Sequence, residues 1–123
     1  MKTLKIAMAA LVLMISVPGH AAKSTMFGYG ATTCGQYLDE VKSSARDASM
    51  AESWALGFIS AMNAHVFTKD ALEPTDAGGI KAAVRLHCEK NPLDRISNAA
   101  NEVALELARR VGDTRSLVRG TKK

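Results

Sequence analysis

The chain has 123 residues with 16 basic and 12 acidic side chains, two cysteines and few aromatics. That suits one small domain and leaves no room for two. No stretch approaches the roughly 20 apolar residues of a membrane helix. In chain order, residues 1–21 read as a secretory signal. Lys2 and Lys5 precede the apolar core "IAMAALVLMISV", and "PGHA" ends in small residues. The expected mature chain starts near Ala22 with 14 basic and 12 acidic side chains, a net charge of +2. Residues 109–123 hold six basic groups against Asp113 alone, so a mildly acidic body carries a cationic end. Residues 113–123 are expected to form a basic, flexible tail.

Export bears directly on Cys34 and Cys88. In an oxidising compartment, two cysteines in a small domain most often pair with each other. Intermolecular pairing and free thiols are the alternatives. The bridge would close a loop of 54 residues, worth about 4 kcal/mol by chain entropy.

After an irregular lead-in over 22–31, Thr33 and Gln36 form a capping box. Cys34, Tyr37, Leu38, Val41 and Ala45 then follow at helical spacing. A second box, Ser49 with Glu52, predicts a helix over about 50–67. Trp54, Phe58, Met62, Ala51, Ala55, Val66 and Ile59 share its broad apolar face, while Leu56 and Phe67 stand on the opposite side. A helix apolar nearly all round is normally sandwiched or held against a partner. Gly57 costs about 1 kcal/mol of helix propensity relative to alanine, which implies close approach of another backbone. A linker with Pro74 leads to a third helix over 79–90, with Ile80, Ala83, Val84, His87 and Cys88 on one face. "NP" at 91–92 ends it and opens a fourth helix, with Asn91 as cap and Pro92 in the first turn. Leu93, Ile96, Ala100, Val103, Leu107 and Val111 keep the apolar spacing until Gly112 supplies a C-cap. The expected fold is all-α: one bundle of about four helices over 32–112 with one disulfide.

Little in this chain carries catalysis. His65 and His87 are the mature histidines, and either has the chemistry of a general base. No nucleophile elbow, phosphate loop or paired carboxylate accompanies them, so core or interface roles are expected. Met62 and His65, three residues apart, are too few ligands for a tight metal site. No enzyme, cofactor or metal is therefore expected. Nucleic acid would require a basic folded body with aromatic platforms, and the body is acidic.

"TTCGQYL" at 32–38 resembles the Thr-Cys-x-x-aromatic-Leu opening of the periplasmic HdeA/HdeB acid-stress chaperones. "GFISAMN" at 57–63 is similar to that family's central-helix run, and "DAGGI" at 76–80 to the lead into its next helix. The likeness spans about residues 32–88. It implies a periplasmic holdase, dimeric and inactive at neutral pH, that exposes apolar surface in acid to bind unfolding proteins. Protonating twelve carboxylates and charging two histidines would raise the mature charge to about +16, which opposes compact dimers. The surface implied for clients or a partner is Trp54, Leu56, Phe58, Ile59, Met62 and Phe67. Core packing is the alternative for Trp54 and Phe58, whereas Leu56 and Phe67 lie off the main stripe. A different expectation is an exported interaction module, an immunity-type inhibitor or envelope secretion accessory, that binds one folded partner.

Overall fold

A computed structural model describes residues 25–113. The leader expected over 1–21 and the tail beyond Asp113 lie outside the described residues. Four helices form the body: α1 (Cys34–Ser43), α2 (Ala45–His65), α3 (Ala77–Lys90) and α4 (Ile96–Arg110), preceded by a short 3-10 turn, Gly28–Ala31. No strand occurs among the described residues, only a single bridge between Thr33 and Arg95. Cys34 and Cys88 form a disulfide with their Cα atoms 4.8 Å apart. The bridge fastens the first residue of α1 to the last turn of α3.

α1 starts where its cap predicts, and each of its leading N–H groups has a partner. Thr33 Oγ1 accepts from the Gln36 N–H at 3.2 Å, and Thr33 O accepts from the Tyr37 N–H. The Cys34 N–H donates to Asp94 O at 2.7 Å and the Gly35 N–H to Pro92 O at 2.8 Å. The last two bonds explain a departure from expectation. Residues 92–95 do not open α4, because their carbonyls are turned outward to cap α1. Asn91 instead closes α3, its N–H reaching His87 O and Cys88 O. α4 begins four residues later than expected, and Leu93 is 94 % exposed rather than part of its apolar stripe.

α2 begins five residues before the expected start. Ser44 ends α1 and caps α2 at once: its hydroxyl accepts from the Asp47 N–H and donates to Asp47 Oδ2 at 2.7 Å. Ser49 is an ordinary exposed position inside the helix. α2 packs against α1, α3, α4 and the 3-10 turn, which makes it the central element. Its buried stripe, Ala48, Ala51, Ala55, Ile59 and Met62, meets the alanine-rich face of α4, Ala99, Ala100, Ala104 and Ala108, in one core. Small side chains on both helices permit close approach of the axes.

The close approach expected at Gly57 is found instead at Gly30. A Cβ on Gly57 would meet nothing within 4 Å, so no neighbouring backbone accounts for it. A Cβ on Gly30 would lie 2.2 Å from the Trp54 ring. Close approach therefore occurs in the lead-in, not on α2. Gly57→Ala should stabilise the fold by about 1 kcal/mol through helix propensity, whereas Gly30→Ala should destabilise it by about 1–3 kcal/mol through overpacking. Urea unfolding of the two variants checks both signs.

α4 ends in a Schellman arrangement. Gly112, at φ +70°, donates to Arg109 O, and the Asp113 N–H reaches Ala108 O at 2.9 Å. Asp113, assigned by the sequence to the tail, is 1 % exposed and belongs to the body.

Candidate functional site

Of the six apolar residues expected to meet clients or a partner, two are buried and four are half-buried against the core. Ile59 and Met62 are core residues, fully and nearly fully buried. As surface groups they are corrected: in this conformation neither is available to a partner. Trp54, Leu56, Phe58 and Phe67 are half-buried and packed against the core. Trp54 stacks on Phe58 with ring centroids 5.3 Å apart, and the Gly28–Gly30 backbone closes over the indole. Leu56, off the main stripe of α2, and Phe67, two residues past the end of that helix, both pack against the core. Among the described residues, the large apolar side chains that face solvent are Phe27, Met50, Leu86 and Leu93. Their exposure has no signal in periodicity alone.

Beside this face lies a polar tie that sequence reasoning missed. Glu52, expected to serve a helix cap, sits next to the buried stripe of α2 with a side chain only 11 % exposed. The Tyr37 hydroxyl of α1 donates to Glu52 Oε1 at 2.9 Å. Arg85 of α3 donates to the same oxygen at 2.9 Å, and Lys81 Nζ stands 3.6 Å from Oε2. One carboxylate thus joins three helices. Burial pushes its pKa upward, but the Tyr37 hydroxyl, the Arg85 guanidinium and the Lys81 ammonium outweigh burial and hold it below its ordinary value. Burial and the neighbouring carboxylate push Tyr37 upward despite the Arg85 guanidinium. An acid inside an apolar stripe, with Lys81 and Arg85 one turn apart on α3, was the available clue. Which helix faced which was not.

The histidines separate. His87 Nε2 lies 2.9 Å from Asp94 Oδ2, tying the end of α3 to the loop that caps α1. His65, for which a core or interface role is expected, is exposed in the last turn of α2. Met62 is interior, so the two do not form a common site. Among the described residues no group of three or more His, Cys, Asp or Glu side chains is arranged to hold a metal ion. No described helix is long and apolar enough to cross a membrane. A groove of about 310 Å³ runs between α3 and α4, lined by Leu86, Val103 and Leu107 with Lys90, Arg109 and Arg110 among its charged residues.

No family model, curated protein or solved structure matches this chain.

Proposed function

We propose that the chain is an exported, acid-responsive holdase of the periplasm, which releases its helix packing at low pH and binds unfolding proteins through α2. The observation that carries this reading is the Glu52 tie. Three helices are joined through one carboxylate whose charge acid removes, while the Cys34–Cys88 bridge is indifferent to pH. Because its folded pKa is depressed, Glu52 contributes stability above its ordinary value of 4.5, and that contribution is lost as pH falls through the folded value. The sign matches an opening in acid. Glu106, held low by Arg109 and Arg110, and Asp70, held low by the Leu72 N–H and Asn63, act in the same direction. With every carboxylate neutral, the mature charge of about +16 drives the helices apart. Ile59, Met62, Trp54 and Phe58 then become surface, with the disulfide keeping α1 and α3 linked. The resemblance of the cysteine and central-helix motifs to the HdeA/HdeB chaperones supports the same reading.

The experiment is aggregation of a denaturing client, followed by light scattering at pH 2–3 and at pH 7. Suppression in acid alone is expected. No suppression at low pH with the disulfide intact would remove the holdase reading. Glu52→Gln separates the tie from general charge. At pH 7 it should cost about 2 kcal/mol, the worth of charged hydrogen bonds. The gap from the parent should close as pH falls below the ordinary value of 4.5 and through the depressed folded value, where the parent's own carboxyl becomes protonated. Denaturant titrations from pH 7 to 3 read that convergence, and a pH-independent gap would exclude Glu52 as an acid sensor.

A second reading is favoured by the α3–α4 groove, where Leu86 is 51 % exposed in the folded state. There the chain would be an interaction module that holds one folded partner at neutral pH. A stoichiometric partner recovered from envelope extract at pH 7, and lost with Leu86→Asp, would favour it.

A further inference from the structure

The carboxyl end of the chain gathers positive charge around exposed apolar surface. Residues 109–123 hold six basic side chains and one acid, Asp113. That acid is buried and turned onto the Thr68 and Lys69 N–H groups, so it is withdrawn from the surface. Arg109 and Arg110 share a single carboxylate, Glu106, at 2.9 and 3.1 Å. One positive charge is left in excess, and the Arg110 side chain stays 67 % exposed. Both arginines line the α3–α4 groove together with Lys90, which is exposed and pairs with no carboxylate among the described residues. Glu102 is the other acid of the groove. Leu86 stands in the same groove with half of its surface in solvent. A helix dipole accounts for cations in a last turn, but not for an exposed leucine among them.

We propose that this surface docks the protein on an anionic lipid membrane. Basic groups beside exposed apolar side chains suit the boundary between headgroups and acyl chains, where charge and burial hold together what neither holds alone. Leu86 and the half-buried Leu107 supply the apolar part, and Lys90, Arg109 and Arg110 the charge. The chain leaves this place with charge of the same sign. Residues 114–123 contain Arg115, Arg119, Lys122 and Lys123 and no acid, with Leu117 and Val118 between the two arginines. Asp113 fixes the root of that segment next to the end of α4. A series of like charges interleaved with apolar residues needs no partner of fixed register, which favours a diffuse anionic plane over a folded acidic protein. Residues 22–108 carry eight basic and eleven acidic side chains, a net charge of −3. Such a plane therefore repels the body and attracts the end of α4, which orients the molecule. The surface does not depend on the holdase reading.

Co-sedimentation of the full mature chain, disulfide intact, with lipid vesicles at pH 7 tests this. The protein should sediment with vesicles of phosphatidylglycerol and phosphatidylcholine, and stay in solution with phosphatidylcholine alone. Binding should fall at least about tenfold as salt rises from about 50 to 300 mM, because the surface charge is screened. A basic residue near such a surface is worth about fivefold in binding. Lys90→Gln and Arg110→Gln should therefore each cost about fivefold, and together about 25-fold. Leu86→Ser should cost about three- to tenfold. Lys42→Gln removes the same charge from an exposed position on α1 and should cost less than about twofold. Soluble poly-glutamate represents an acidic protein. If it binds as tightly as the anionic vesicles and Leu86→Ser has no effect on either, an acidic partner is assigned and the lipid proposal falls. The proposal also falls if neither vesicle binds, if neutral vesicles bind as well, or if Lys42→Gln costs as much as Arg110→Gln. Should a variant not fold, the unaltered protein decides the matter on anionic bicelles carrying a nitroxide lipid. The nitroxide must broaden the Leu86, Lys90 and Arg110 amide resonances more than that of Lys42, and the reverse order refutes the surface.

Discussion

Replacing Cys34 and Cys88 together by alanine is expected to lower stability by about 4 kcal/mol, the chain-entropy value for a loop of this length. Small domains have a total of about 5–15 kcal/mol, so this one bond is a large share of it. At about 4–8 °C per kcal/mol, thermal unfolding should shift downward by roughly 15–30 °C. Both sulfurs are fully buried, and the residues around Cys34 are also stitched by backbone bonds to Pro92 and Asp94. Guanidinium unfolding at pH 7, with and without the bridge, measures the loss. A loss under about 1 kcal/mol would mean that the unbridged chain stays compact when denatured.

Asp113→Ala should be strongly destabilising for a residue at the edge of the body, at about 3 kcal/mol from lost charge-assisted hydrogen bonds. Asp113 Oδ2 accepts from the Thr68 N–H, from the Thr68 hydroxyl at 2.7 Å and from the Lys69 N–H at 2.9 Å. Lys69 Nζ returns a bond to Val111 O at 3.0 Å. The end of α4 is therefore fastened to the segment that leaves α2. Asp113→Asn keeps an acceptor oxygen and loses the charge, so it should fall between the alanine variant and the parent. Thermal melts at pH 7 rank the three. If the alanine variant melts with the parent, the carboxylate is not a structural anchor.

The local signals were legible for plain reasons. Thr33 caps α1 because its hydroxyl reaches the next turn's N–H, a contact spanning three residues. Gly112 ends α4 because only a residue tolerant of positive φ closes a Schellman turn. Where one local signal competed with another, the sequence was ambiguous. Ser44 with Asp47 and Ser49 with Glu52 are both capping patterns, and only the first is used. The second lost because Glu52 gains more from Tyr37, Arg85 and Lys81 than from a helix end. Pro92 suited a helix start, but its carbonyl was claimed by α1.

The candidate site divides along the same line. Periodicity placed Trp54, Phe58, Ile59 and Met62 on one apolar face, since that face is a property of one helix. Whether solvent, a partner or the chain itself covers the face is a matter between elements. Gly30, 24 positions from Trp54 in sequence, supplies the answer by lying against its ring.

What the amino-acid sequence determined by itself was the helical class, the number of helices and the Cys34–Cys88 pairing. Each depends on spacing within a turn or on a count. The tertiary structure alone decided which apolar residues are sealed, that Glu52 joins three helices, that Asp113 is an anchor and that Leu86 shares a groove with Arg109 and Arg110. Those facts arise from contacts between residues tens of positions apart, and a pattern that repeats every 3.6 residues holds no record of which faces will meet.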